Sequence, residues 1–253
     1  MKISIITVVY NGVSTIEDAI TSVLDQTYQD IEYIIIDGGS TDGSTNIINR
    51  YSDRITHFVC EKDDGIYDAM NKGIQLASGD IIGILNCDDI YFDNTIIDSV
   101  VRSFSDGYDI VYGDLLYVDE YDLFKVVRYW KSTPFIKGYF ELGWHPPHPS
   151  FFARRKAYES YGKFDLEINI SADFDLMLRF LEVAALNSHY IPTSLVRMRV
   201  GGESNRSIRK IIQGNLGVLY SFKKNGIKLN PLKYFIRRFF IKVSQFFVRD
   251  TPH

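Results

Sequence analysis

The sequence predicts an α/β fold: a mainly parallel sheet with helices on both faces. Two observations carry this. The first hundred residues alternate near-continuous apolar runs with amphipathic stretches across short connections, and strands apolar on both sides belong to a parallel sheet covered twice. Each apolar run also ends in polar or acidic residues, as expected of the edge where such sheets bind ligands. "KISIITVV" is the first strand. "STIEDAITSVLDQT" then opens with a capping box, Ser14-x-x-Glu17, and places Ile16, Ala19, Ile20, Val23 and Leu24 on one helical face. "EYIIID" is a second strand ending at Asp37 in the turn "GGSTDGS", and "TNIINRY" is a short helix. "ITHFVC" is a third strand, "GIYDAMNKGIQLA" a helix closed by Gly79, and "DIIGILN" a fourth strand. Asn94 caps the helix of "TIIDSVV".

Beyond residue 108 the pattern shifts. "DIVYGDLLYV" and "LFKVVRYW" read as strands, followed by the aromatic and proline-rich loop "YFELGWHPPHPSFF". "RRKAYESYGKF" and "SADFDLMLRFLEVA" are helical stretches and "SHYIPTSLVRMRV" an extended one. With no internal repeat or linker, one domain over residues 1–205 and a helical appendage over 206–253 is the economical organisation.

The chain has 253 residues, 45% of them hydrophobic, enough for a sizeable core. Cys60 and Cys87 form no C-x-x-C pair, so neither a disulfide framework nor a zinc site is indicated. The apolar run in "MKISIITVVYNG" is too short for a signal peptide, and no stretch of 18 uncharged apolar residues is present. A cytoplasmic location is therefore expected. Charge is unevenly spread: residues 1–203 carry 17 Lys+Arg against 31 Asp+Glu, and residues 204–253 carry 11 against Asp250 alone. The acidic body argues against nucleic acid, and the basic tail calls for an anionic partner.

Tyr10 and Asn11, Asp37, Glu61 with Asp63 and Asp64, and Asp88 with Asp89 follow the four strands in turn. An edge this acidic binds an anion only through a divalent cation. Mg2+ and Mn2+ are held by one or two carboxylates plus substrate phosphates and water, and Asp88 and Asp89 suit that role. Asp37 can accept hydrogen bonds from a base or ribose. Neither G-x-G-x-x-G nor a P-loop follows the first strand, which removes dinucleotide and P-loop chemistry. Transfer to an acceptor needs a base, and "SADFDLMLRF" offers Asp173 and Asp175 at a helix start, with Leu176, Leu178 and Phe180 core-facing. His148 is placed to orient an acceptor hydroxyl.

Taken together, "SIITVVYNG", "IIIDGGSTDGS", "DDGIYDAMNKGI", "SGDIIGILNCDD", "HPSFF" and "SADFDLMLR" resemble, in order from about residue 3 to 205, the family 2 glycosyltransferases of the GT-A fold. The resemblance implies that Val8, Tyr10 and Asp37 contact the nucleotide and that Asp64 and Lys72 lie near the donor. It implies a D-x-D-type motif at Asp88 and Asp89, with Asp89 the metal ligand and Asp88 toward the ribose. Asp173 matches the catalytic base and Asp175 a structural partner; Cys87 replaces a residue that is usually Ser or Ala. An inverting transfer from a UDP-sugar with Mn2+ or Mg2+ follows. A sugar nucleotidyltransferase would show a Gly- and Arg-rich loop after the first strand, which "VYNGVST" lacks; a non-catalytic glycan-binding protein would not need Asp89 and Asp173 together.

In "NPLKYFIRRFFIKVSQFFVRD", Leu232, Phe235, Ile236, Phe239, Phe240, Val243, Phe246 and Phe247 form an apolar stripe, with Lys233, Arg237, Arg238 and Lys242 mainly off it. Such a helix suits an anionic membrane surface on the inner face of the cytoplasmic membrane. The other arrangement is a helix docked on its own domain or in a homodimer. A membrane site points to a glycan acceptor on a polyprenyl-diphosphate carrier, within surface polysaccharide assembly.

Overall fold

The computed structural model describes residues 1–201 and 208–246. Strands β1 (Ile3–Val9), β2 (Ile31–Asp37), β3 (His57–Cys60) and β4 (Ile81–Ile84) are mutually parallel in the order β3-β2-β1-β4. Past β4 the sheet becomes mixed. β8 (Phe151–Arg154) runs antiparallel between β4 and β6 (Ile110–Val118), and β9 (Ser188–Arg199) runs parallel to β6. Two short strands finish it: β5 (Asp89–Tyr91) lies antiparallel on β9, and β7 (Val126–Trp130) antiparallel on β6.

Successive residues of the parallel strands feed opposite faces, as a period of two requires. Ile6, Val8, Ile34, Ile36, Ile82 and Ile84 enter one core, and Ile3, Ile5, Tyr33, Ile35 and Ile81 the other. The second is covered by α1 (Ile16–Leu24) and α4 (Ile96–Ser105), with α2 (Ser44–Asn49) at its margin. The first is covered by α3 (Ile66–Leu76), α5 (Arg155–Tyr161) and α6 (Ala172–Leu178), whose path continues as a π-turn over 179–183. Helix α3 lies close to β1 at Gly73, where a Cβ would fall 2.4 Å from Ile6.

Several expectations are corrected. Ser14 makes no cap: Thr15 precedes α1 without a side-chain cap bond, and Glu17 instead accepts from Tyr51 at 2.7 Å and Arg50 at 3.0 Å. Gly79 does not close α3, which ends at Ala77; it packs against β1, where a Cβ would meet Ser4 at 2.7 Å. Asn94 does not cap α4; the Asp93 carboxylate takes the Thr95 N–H at 2.7 Å.

The two described helices of the C-terminal segment pack on the rest of the chain. From α7 (Ile208–Lys224) and α8 (Pro231–Ser244), Val218, Phe222 and Tyr234 enter the α3/α6 core. Asn225 also donates to Asp175 at 3.0 Å. Helix α8 docks through Tyr234, with Phe235 of the stripe against the same core and Gln245 buried just past its end, while Leu232, Ile236, Phe239, Phe240 and Phe246 are exposed. Phe247 lies outside the described residues.

A buried carboxylate joins β1, β2 and the end of α3. Glu32, 2% exposed, accepts from Ser4 Oγ at 2.6 Å, Ser78 Oγ at 2.6 Å, Ser78 N at 2.7 Å and Lys2 Nζ at 2.9 Å. Burial alone would raise its pKa, but these donors outweigh burial and hold it at about 2 instead of 4.5. A depressed native pKa means the stabilisation is complete above the unfolded value and fades as pH falls from there toward 2. Glu32→Gln is expected to lose roughly 2 kcal/mol at pH 7. In urea melts, the gap between wild type and variant should close as the pH is lowered through that window.

Candidate active site

Parallel register brings the C-terminal ends of β1 to β4 side by side, so Tyr10, Asp37, Glu61 and the Asp88–Asp89 pair share one edge. Hydrogen bonds tie the loops after β1 and β2 together: Asn11 N donates to Ser40 Oγ at 2.8 Å, and Asn11 Oδ1 accepts from Thr41 N at 2.9 Å. Tyr10 stands out from this knot, 66% exposed, with a ring open to stacking.

Two expected nucleotide contacts do not face this surface. Val8 is in the core, and Asp37 is fully buried. Asp37 Oδ1 accepts from Ser40 N at 2.8 Å and Oδ2 from Thr45 Oγ1 at 2.9 Å, so its carboxylate orders the 38–45 turn. Lys72 is likewise engaged, with Glu61 at 2.8 Å, Asp68 at 3.4 Å and the Lys62 carbonyl at 3.1 Å. It fixes the loop on which Asp64 sits exposed beside Gly65.

Asp89 opens β5 and is 1% exposed. Its Oδ2 accepts from Asn86 at 3.2 Å, while Oδ1 has no partner among the described residues. Burial first, and then the neighbouring Asp88, push this carboxyl well above the ordinary range. The Asp88 carbonyl accepts from Arg199 at 2.7 Å, and the other arm of Arg199 pairs with Asp18. The same burial raises the Cys87 thiol to about 12, so Cys87 is an inert packing group, its Sγ 3.0 Å from where a Gly12 Cβ would lie.

A buried carboxylate oxygen without a donor is costly unless a cation satisfies it. Asp89 therefore fits a divalent ion. Among the described residues no three His, Cys, Asp or Glu side chains converge, so an ion here would complete its shell with substrate phosphates and water, as Mg2+ commonly does.

Asp173 stands in the first turn of α6, half-buried, and its Oδ1 accepts from Tyr67 OH at 3.1 Å. The Tyr67 oxygen also accepts from Ser171 N at 3.2 Å, and its ring stacks on Phe164 at 5.4 Å. Ser171 is held at φ +80 between that bond and one from its Oγ to the Gly214 carbonyl at 3.1 Å. Asp175 is fully buried and paired with Arg179 at 2.8 Å. His148 meets Phe164 edge-on at 5.7 Å, and burial lowers its pKa, which keeps the ring neutral.

Tyr67, Asn86, Arg199, Tyr117, Trp130 and His145 were not marked by the sequence. Apart from Asn86, which bonds to Asp89 three residues on, each meets its partner across a stretch of chain too long for a local pattern to identify it. Beta-strand register places Asp89, Met198 and Tyr117 in one row with Arg128.

Parallel strand ends carrying an acidic pair, faced by a helix-borne carboxylate, define a GT-A nucleotide-sugar transferase fold. Solved structures agree: Staphylococcus aureus TarS 1-349 in complex with UDP-GlcNAc superposes with a TM-score of 0.70 at 15% identity, covering 98% of this chain and 75% of that one. The Pyrobaculum calidifontis mannosyltransferase PcManGT, in complex with GDP-Man and Mn2+, gives 0.64 at 16% identity, covering 95% and 69%. Residues 4–162 match glycosyl transferase family 2, and the chain belongs to that family. A Mycobacterium tuberculosis PGL/p-HBAD biosynthesis glycosyltransferase is 28% identical over 82% of this chain and 80% of its own length. An uncharacterized glycosyltransferase of Rickettsia felis is 29% identical over 99% of this chain, which spans 43% of that protein.

The role of Tyr67 can be measured. Tyr67→Phe keeps the stack on Phe164 and removes the hydrogen bond to Asp173. A loss of roughly tenfold in kcat, with KM for the donor unchanged, is the expected result.

Proposed function

We propose that this domain is a metal-dependent inverting glycosyltransferase, moving a hexose from a UDP-sugar to a hydroxyl of a lipid-linked glycan acceptor in polysaccharide or glycolipid assembly. The observation that carries this reading is a pair of carboxylates that both act on Tyr117: buried Asp89, with an oxygen that has no partner among the described residues, and half-buried Asp173, held by Tyr67. The named complexes of TarS and PcManGT with nucleotide sugars support a nucleotide-sugar donor.

Mn2+ or Mg2+ held by Asp89, with Asp88 beside it, would supply Lewis-acid stabilisation of the departing diphosphate. Tyr10 offers its ring to the base, and Asp64 lies on the loop bordering the donor. Asp173 accepts the proton of the acceptor hydroxyl as that oxygen bonds to the anomeric carbon. The bond from that carbon to the diphosphate oxygen breaks, its electron pair leaving with the nucleotide. A single carboxylate on the acceptor side leaves no second nucleophile, so one displacement inverts the anomeric centre. Tyr67 fixes the direction of Asp173, and His148, neutral, is placed to orient the hydroxyl.

No helix among the described residues is long and apolar enough to cross a membrane. The outward stripe of α8, flanked by Lys233, Arg237 and Lys242, suits peripheral attachment to an anionic bilayer.

Two measurements test the chemistry. Asp173→Asn should lower nucleotide release from UDP-sugars with acceptor present by about a thousandfold while UDP still binds; a fully active variant would refute the base assignment. EDTA should abolish turnover and Mn2+ restore it; Asp89→Asn should remove that rescue, and activity indifferent to EDTA would remove the metal from the reading.

A further inference from the structure

A second wall of the cleft takes no part in the steps above. Tyr117 stacks on Trp130 at 6.4 Å, Trp130 meets His145 edge-on at 5.1 Å, and His145 packs on Phe174, the neighbour of Asp173, at 5.5 Å. On the α8 side this aromatic floor is bordered by three cations. Arg128 lies 3.7 Å over the Tyr117 ring and 5.6 Å from that of Phe246. Arg238 donates to Tyr234 OH at 2.9 Å. Its backbone sits against Gly143, where a Cβ would be 3.0 Å from Arg238 N.

No ion pair joins Arg128, Arg238 or Lys242 to an acid among the described residues. They act on one another: although Lys242 is exposed as a residue, enclosure of its ammonium first, and then Arg238 and Arg128, bring its pKa down to about 8. The group also shares the cleft with the reacting carboxylates. Besides burial, His145 responds to Arg238 and Lys242 on one side and to Asp173 on the other. Like charges gathered without acids repel, and an anion among them relieves the repulsion.

Register sets the span. Asp89 pairs with Met198, Met198 with Tyr117, and Tyr117 with Arg128, a row three inter-strand steps long. At the usual strand spacing that is about 14 Å between the ends, room for one sugar ring on each side of the bond being made. Beside the cations, an apolar groove of about 430 Å³ is lined by Tyr139, Leu142, Trp144, Arg237, Phe240 and Ile241. It runs into the exposed face of α8.

We propose that Arg128, Arg238 and Lys242 form the phosphate site of the acceptor, holding the diphosphate of a lipid-linked sugar whose first apolar segment lies in the groove beside Trp144 and Phe240. This rests on the glycosyltransferase reading and names the residues that select its acceptor. The cations come from β7 and α8, not from the loops after β1 to β4 that face the donor, which assigns them to the acceptor's phosphates.

Both tryptophans of the chain, Trp130 and Trp144, border this site, so intrinsic fluorescence reports its occupation. Farnesyl diphosphate titrated into the full chain should give a saturable change. Lys242→Gln and Arg128→Gln should each weaken it roughly tenfold, with Lys242→Arg and Arg128→Lys restoring most of the affinity. Inorganic pyrophosphate should bind more weakly, since it leaves the groove empty. Pyrophosphate binding as tightly as the farnesyl ester would overturn the lipid source, and farnesol binding as tightly would overturn the cation role. Calorimetry of UDP with Mn2+ should be unchanged within about twofold in the Gln variants; an equal loss there would reassign the cations to the donor and overturn the proposal. Failure of the wild-type chain to bind UDP, with farnesyl diphosphate still bound, would reject the donor reading and leave the anion site standing.

Discussion

The burial of Asp89 is the constraint on which the rest of the site depends. A carboxylate 1% exposed, with one oxygen that has no donor among the described residues, is held where its charge is least stable. Two strands distant in sequence keep it there. β5 pairs with β9, and Arg199 at the end of β9 grips the Asp88 carbonyl while bonding to Asp18 on α1. The acidic turn is thus clamped from both sides, and relaxation toward water would break that clamp. A carboxylate held in this way fits a cation better than solvent does.

The opposite carboxylate is held by other means. Asp173 rides on a short helix whose first turn is fixed by Tyr67 from α3 and by Ser171, itself pinned to α7. Asp175, on the same helix, is locked by Arg179 and by Asn225 at the end of α7. The C-terminal helices share the core of α3 and α6 and help to set the position of Asp173. They also carry the exposed aromatic stripe and two of the three cations, Arg238 and Lys242, that join no ion pair among the described residues.

Much of this was legible in the chain. Alternating apolar strands and amphipathic helices specified a sheet covered on both faces, and the acidic residues after each strand marked its working edge. Asp88, Asp89 and Asp173 stood out because carboxylates at strand ends and helix starts are exposed to chemistry by geometry alone. What misled was local reasoning about caps and contacts. Ser14, Gly79 and Asn94 fit cap patterns, yet Glu17 was claimed by Tyr51 and Arg50, Gly79 by close packing on β1, and the α4 start by Asp93. Asp37, expected to contact the nucleotide, is fully buried and orders its own turn.

By itself, then, the sequence determined the fold class, the order of the parallel strands' polar ends and the amphipathic character of the tail, because hydrophobic periodicity and side-chain chemistry are local properties. Only the tertiary structure decided which of those polar groups are free. Tyr67 and Arg199 found their partners across 106 and 111 residues, and the row from Asp89 to Arg128 exists only through strand register. The direction of the α8 stripe was settled in the same way. A helix with two usable faces docks through whichever one the domain can bury, and here Tyr234 and Phe235 filled that place, leaving Phe239, Phe240 and Phe246 outward.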